Sequence, residues 1–195
     1  PGGFMVYNTL GVLAAARELG VPLADSARVL SHSAHVKGRG EPVPVPGDYT
    51  VLIDYAHTPD ALENVLTAVR GFARGRVVAL FGCGGDRDKT KRPKMGAIAA
   101  RLADFVVVTS DNPRTEVPGD IIRDILAGME DTETPYMVVE DRAEAIRWAM
   151  DHAQPGDVIV LAGKGHETYH EVNHQKRHMD EREIVAEHIA ACQQK

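Results

Sequence analysis

The chain has 195 residues, 44% hydrophobic and 26% charged, enough apolar mass for one full α/β domain with something extra, or for two small ones. Its formal net charge is -6, and no Lys/Arg run is long enough to make the basic face of a nucleic-acid binder. No apolar stretch approaches the roughly 20 residues of a membrane span, and the opening Pro1-Gly2-Gly3 lacks the charged start and apolar block of a signal peptide. The missing initiator Met suggests a piece of a longer protein. Cys83 and Cys192, far apart and at no metal-ligand spacing, suit a reduced, cytosolic environment.

In chain order, residues 6–19 (VYNTLGVLAAAREL) are expected to form an Ala/Leu-rich helix, closed by Gly20 and followed by Pro22. A second helix is expected over about 23–31. His32 to Asp48, polar and rich in Gly and Pro, is the best linker candidate. Continuous apolar, β-branched runs follow at Tyr49–Ile53, Arg76–Phe81, Phe105–Thr109, Tyr136–Glu140 and Asp157–Leu161. Such runs suit strands buried on both faces. Helical patterns at about 59–72, 93–102, 118–130 and 141–152 separate them. This alternation predicts an α/β fold, a Rossmann-like, doubly wound, mostly parallel sheet with right-handed crossovers. Thr168–Val172 and Lys176–Met179 read as a C-terminal antiparallel hairpin around Asn173-His174-Gln175. Asp180 and Glu183 then resemble a capping box opening a last helix.

In open α/β sheets ligands bind beyond the C-terminal ends of the strands, where four unusual loops fall. In the first, Asp54 to Asp60, Thr58 suits an N-cap and Pro59 the first helical turn. Asp54 and His57 are either plain turn residues or an acid and an imidazole aimed at a nucleotide. The second, Gly82 to Pro93, is neither a dinucleotide fingerprint nor a P-loop. Its glycines would let the backbone approach a ligand, and Arg92 and Pro93 stand where a helix should begin, which makes an anion site. Its charge is dense for a mere connector. The third, Ser110 to Arg114, offers an amide and a guanidinium that suits a carboxylate, although Asn-Pro is also an ordinary turn signal. The fourth, Gly163-Lys164-Gly165-His166-Glu167, has Glu167 for an ammonium group, or is simply a strand-to-hairpin turn. Together the loops place Arg92, Arg114 and Glu167 at one rim, a set suited to an amino acid carrying a second carboxylate. His166, His170, His174 and His178 recur every four residues. On a hairpin that spacing makes no cluster, so no metal site is expected.

Asp54-Tyr55-Ala56-His57-Thr58-Pro59, Gly82 to Asp88 with Lys91-Arg92-Pro93, Asp111-Asn112-Pro113-Arg114 and Gly163 to Glu167 resemble, in order and spacing, the C-terminal motifs of the MurE family of peptidoglycan ligases. The resemblance covers essentially the whole chain. It implies a division into residues 1–42, a short helical remnant of a central ATPase domain plus linker, and 43–195, an amino-acid-binding domain. It further implies ATP-dependent addition of meso-diaminopimelate to UDP-N-acetylmuramoyl-L-alanyl-D-glutamate through an acyl phosphate. Arg92, Asp111, Asn112, Pro113, Arg114, Gly163 and Glu167 would hold the amino acid, and Asn8, Arg39, Asp54 and His57 would face ATP. The P-loop and Mg2+ ligands belong to the central domain, so this piece carries no catalytic residue and should be inactive alone. The UDP-linked dipeptide would be met through the missing domains, in a cytoplasmic and monomeric protein. Where many relatives read Phe-Asn-x-x-Asn, the chain has Phe4-Met5-Val6-Tyr7-Asn8. The competing readings are a non-catalytic diaminopimelate- or nucleotide-binding module and a neighbouring ligase of the same superfamily.

Overall fold

A computed structural model describes residues 3–32 and 36–193, with side chains from residue 6 onward, so the Phe4 and Met5 side chains lie outside it. Helices α1 (Gly3–Glu18) and α2 (Leu23–Ser31) pack on each other, and α2 buries none of its residues. Val6, Tyr7, Leu10, Val12, Leu19 and Leu23 are all more than half exposed, an apolar surface without a cover among the described residues. No described helix is long and apolar enough to cross a membrane.

The rest is one three-layer sandwich. Its elements are β1 (Glu41–Val43), β2 (Thr50–Asp54), α3 (Pro59–Arg70), β3 (Val77–Phe81), α4 (Lys91–Leu102), β4 (Phe105–Val108), α5 (Pro118–Leu126), β5 (Tyr136–Val138), α6 (Arg142–Asp151) and β6 (Val158–Ala162). A separate hairpin, β7 (Tyr169–Val172) with β8 (Gln175–His178), and helix α7 (Glu181–Gln193) follow. The sheet order is β1-β2-β6-β3-β4-β5, all parallel except β1. The chain steps along the sheet through α3, α4 and α5, then returns through α6 to insert β6 between β2 and β3. Right-handed crossovers running in opposite directions must lie on opposite faces. Accordingly, Leu52, Ala79, Phe81, Val106 and Val160 pack against α3, α4 and α5, while Val51, Ile53, Leu80, Val107 and Ile159 pack against α6 and α7. Alternate residues serve the two cores, so every central strand must be apolar throughout.

The expected elements are all present, with three corrections. The linker candidate contains β1, which pairs Glu41 with Ile53 and Val43 with Val51, so the sheet runs through the expected boundary between residues 42 and 43. Strand β5 is not buried on both faces: Tyr136 is 49% exposed and Val138 40%, because it closes the sheet edge and neither helix layer reaches over it. The capping box forms by half. Asp180 Oδ1 accepts from Arg182 N–H at 3.0 Å, but Glu183 reaches His178 at 2.5 Å instead of turning back on the cap. In the hairpin the turn is Asn173-His174 alone, both at positive φ, as a two-residue loop matched to strand twist requires.

Two glycine contacts fix how the layers and loops meet. A Cβ on Gly38 would stand 2.2 Å from His166 N, and both Gly38 and Gly165 have positive φ, so the stretch leading into β1 lies backbone to backbone on the loop after β6. On α4, a Cβ on Gly96 would stand 2.2 Å from the Ile125 carbonyl oxygen. Replacing Gly96 by Ala gains about 1 kcal/mol of helix propensity but forces two backbones apart, an overpacking cost of about 1–3 kcal/mol. The Gly96→Ala chain should therefore unfold at lower urea, with a net loss of up to about 2 kcal/mol. An unchanged or raised midpoint in equilibrium unfolding would show that α4 and α5 are not held this closely.

Candidate functional site

All four loops meet at the C-terminal edge of the parallel strands, around a cavity of about 630 Å³. In the loop after β2, Thr58 caps α3 by accepting from Ala61 N–H at 3.3 Å, and Pro59 opens the helix. His57 is exposed at the cavity, its ring 4.6 Å from that of Tyr55, and the Arg39 guanidinium stands 4.9 Å over the same Tyr55 ring. Asp54 behaves differently. It is 7% exposed and accepts the Gly40 N–H at 2.7 Å, and burial pushes its carboxyl up. It ties down the turn that carries Arg39, and its carboxylate does not face the cavity opening.

The glycines after β3 serve a purpose other than the one expected. A Cβ on Gly82 would stand 2.2 Å from Thr109 O, and one on Gly85 1.9 Å from Pro113 O. They let the second loop lie against the third, and only Gly84 lines the cavity. Cys83 points into the core, and burial pushes its thiol up to about 12, so it is no nucleophile.

The third and fourth loops are joined by hydrogen bonds. Asn112 Nδ2 donates to Glu167 Oε2 at 2.9 Å, and Asn112 Oδ1 accepts from the Lys164 ammonium at 2.8 Å and from Glu171 N–H at 2.9 Å. Lys164 is fully buried, and its Nζ also lies 3.3 Å from Asp111 Oδ1. Burial pushes the Asp111 carboxyl up, but Lys164, Arg142 and the Asn112 N–H outweigh it and hold Asp111 below its ordinary value. Arg114 adopts a positive φ of 52° because the hairpin grips it from both sides: its N–H donates to Glu171 O, and its C=O accepts from Asn173 N–H. Its side chain donates to Gly85 O at 2.8 Å and pairs with Glu171 at 3.4 Å, which leaves Nη2 without a protein partner among the described residues. Gly163, at φ 120°, faces Asp111 across 2.9 Å from its would-be Cβ.

Of the residues singled out from sequence, Asp111, Asn112, Arg114, Gly163, Glu167 and His57 line this one cavity. Pro113 is buried against Gly85 behind it. Arg92 is not a lining residue, which corrects the three-group rim. Its guanidinium is fully buried, donating to Glu116 at 2.9 and 3.0 Å and to Asp124 at 2.8 Å. The second position of α4 aims the side chain back under the loop, where two acids that are distant in sequence meet it. Asn8 is exposed on α1. Sequence reasoning gave no role to Tyr55, Arg87, Lys91 or Lys94, which line the cavity, nor to Lys164, Glu116 and Glu171. Lys164 stood inside a noted motif, but nothing local marks a lysine for burial. The four histidines fall on a loop, a strand, a turn and a strand end. Among the described residues one group of possible metal donors converges elsewhere, Asp151, His188 and Cys192.

Chemically, the cavity sets the free edge of the Arg114 guanidinium and the side chains of Lys91 and Arg87 over a floor of carboxylate and amide. This arrangement is chemically suited to a small zwitterion with an additional acidic group.

Residues 38–165 match the family model described as Mur ligase, glutamate ligase domain. The 2,6-diaminopimelate-adding UDP-N-acetylmuramoyl-L-alanyl-D-glutamate ligase of Caldanaerobacter subterraneus subsp. tengcongensis is 52% identical over 190 residues, covering 97% of this chain and 39% of that protein. The like-named ligase of Synechococcus elongatus is 53% identical over 183 residues, covering 93% and 37%. A solved structure of a ligase of the same name superposes with a TM-score of 0.76 at 38% identity, covering 98% of this chain and 39% of the other. The UDP-N-acetylmuramate-alanine ligase MurC of Thermotoga maritima, 23% identical with a TM-score of 0.64, covers all of this chain and 39% of its own and shares the fold. The chain thus spans about 39% of the length of the first of these curated relatives.

The Arg92 network makes stability depend on pH in a definite sense. Arg92, the Asp86 N–H and Lys89 hold the Glu116 carboxyl down at about 2, against an ordinary 4.5. A carboxyl depressed in the folded state adds stability that is complete above pH 4.5 and is lost as pH falls toward 2. Glu116→Gln should therefore cost about 1–3 kcal/mol at pH 7, the worth of hydrogen bonds to a charged group. The gap from the unsubstituted chain should close as pH drops from 4.5 toward 2. A gap in urea midpoint that stays constant over that range would mean Arg92 relies on another partner.

Proposed function

The chain belongs to the Mur ligase, glutamate ligase domain family, and from that premise we propose that it is the amino-acid-binding C-terminal part of an ATP-dependent ligase that adds meso-diaminopimelate to UDP-N-acetylmuramoyl-L-alanyl-D-glutamate. One observation carries the reading: a free guanidinium edge on Arg114 and the Glu167 carboxylate face one cavity through Asn112. The names of the relatives point the same way.

In this reading Arg114 takes a carboxylate and Glu167 an ammonium at the same end of the ligand. An amine held as ammonium by a carboxylate is no nucleophile. The reacting amine is therefore the one at the other end, directed out of the cavity toward an acyl phosphate carried by the rest of the protein. There it forms the amide bond as phosphate leaves and gives up a proton. Asp111 and Gly163 shape the floor without touching the reaction, and Pro113 and Arg92 hold the second loop from behind. The contribution of this chain is positioning, which makes the attack effectively unimolecular. The stretch before β1 would be the end of a central domain plus a linker, that domain supplying the P-loop and the Mg2+ ligands, and the sheet from β1 onward the amino-acid domain, in a protein of the cytoplasm.

The fit to ATP differs from residue to residue. Arg39, stacked on Tyr55, and His57 offer a cation and an exposed imidazole that suit a nucleotide. Asp54, committed to Gly40 N–H, acts through the Arg39 turn, and Asn8 would approach from the central-domain side. ATP supplies the activation of the carboxylate.

Held with its α-amine outward to react, L-lysine offers the cavity only an ammonium and leaves the Arg114 edge unpaired, a penalty of about 1–3 kcal/mol, or roughly ten- to a hundredfold in affinity. Calorimetric titration of the chain should show heat with meso-diaminopimelate and roughly tenfold or weaker binding with L-lysine. Equal affinity for the two would remove Arg114 from its role. In the complete ligase, Arg114→Lys should raise KM for diaminopimelate roughly tenfold or more, because a point charge cannot replace the planar fork.

A further inference from the structure

Beneath the proposed amino-acid site lies a cation that touches no solvent. Lys164 is fully buried, and its three ammonium hydrogens meet three acceptors: Asn112 Oδ1 at 2.8 Å, Tyr169 O at 2.8 Å and Asp111 Oδ1 at 3.3 Å. Its Nζ is 3.9 Å from Glu167. We propose that Lys164 is a positioning residue that fixes the sense of the Asn112 amide and the place of the Glu167 carboxylate, and so decides which end of a ligand the cavity accepts. This rests on reading the cavity as the amino-acid site.

The amide has two possible senses, and the surroundings permit one. In the observed sense Oδ1 receives two donors, the Lys164 ammonium and Glu171 N–H at 2.9 Å, and Nδ2 gives a hydrogen to Glu167 at 2.9 Å. Turned over, the NH2 would face an ammonium and an N–H, and the carbonyl oxygen would face a carboxylate. Every contact would be repulsive in a buried place. Remove the ammonium, and the amide keeps one backbone donor while Asp111 and Glu167 face each other with no cation between them. The floor carries two carboxylates and one ammonium, so one negative charge is left for the ligand. That surplus selects a ligand cation at this spot and rejects a second carboxylate. Arginine cannot substitute, since its longer planar fork does not match three acceptors gathered about one point.

The test uses the complete ligase carrying Lys164→Met, Glu167→Gln and both together. Each single change should raise KM for meso-diaminopimelate roughly ten- to a hundredfold, the factor an unpaired buried polar group is worth, with KM for ATP unmoved. The double variant should be no worse than the poorer single one, because both act through one chain of contacts. Multiplying effects, or a silent Lys164→Met, would overturn the assignment. A silent Glu167→Gln would instead sink the amino-acid reading of the cavity, and the positioning role is then decided on this chain by NMR. There Lys164→Met should speed exchange of the Glu171 N–H and shift the Asn112 side-chain amide; unchanged spectra would overturn the proposal. Should that variant fail to fold, the unsubstituted chain decides. Its Lys164 ammonium protons should stay visible at neutral pH, where exposed lysines exchange away, and their absence would count against the role.

Discussion

A buried ammonium between two carboxylates holds the functional edge of this protein together. Placing Lys164 and Asp111 away from water is costly unless each charge finds partners, and here the partners come from two loops, Asp111 and Asn112 from the one after β4, Lys164 and Glu167 from the one after β6. The loop after β4 and the loop after β6 are more than 50 residues apart in sequence, as the Asn112–Lys164 bond measures. Each is held to the other through these bonds. Sheet topology makes this possible: inserting β6 next to β3 brings its C-terminal end within reach of the loops after β2 and β3.

Two further buried cations repeat the device. Arg92 joins the start of α4 to Glu116 and Asp124, and Arg142, 1% exposed, joins the start of α6 to Glu181 at the start of α7. Each lies close to the functional rim and ties one segment to another remote in sequence. Among the described residues, Arg142 Nη1 and Glu181 Oε2 remain without partners in the buried pair. Pairs of this kind contribute more to fixing one arrangement than to stability, since apolar residues of like volume would stabilise as well.

Much of the fold was legible because its signals are local. Apolar runs such as Val158–Leu161 mark strands covered on both faces, and Thr58-Pro59 marks a helix start through groups that touch one another. What could not be read depends on contacts between remote segments. Strand β1 is short and carries Pro42 inside a Gly/Pro-rich stretch; it is a strand only because the outer edge of β2 is there to pair with it. Tyr136–Val138 has the composition of a central strand but an edge position, which only topology decides. In the site, Asn112, Arg114 and Glu167 carry their chemistry in their side-chain types and were found. Arg92 was placed at the rim because its helix start is there, yet direction is settled by Glu116 and Asp124, which nothing nearby in sequence announces. Lys164 was passed over for the same reason.

The apposition of Gly38 and Gly165 has a consequence for how such a chain can change. Two backbones lie in contact with no side chain between them, one leading in from the N-terminal helices and the other two residues from Glu167. A mutation at either position is not absorbed locally. It wedges the entry stretch away from the loop that receives the ligand. The path by which the chain enters its sheet and the shape of its binding loop are thus coupled through this one contact.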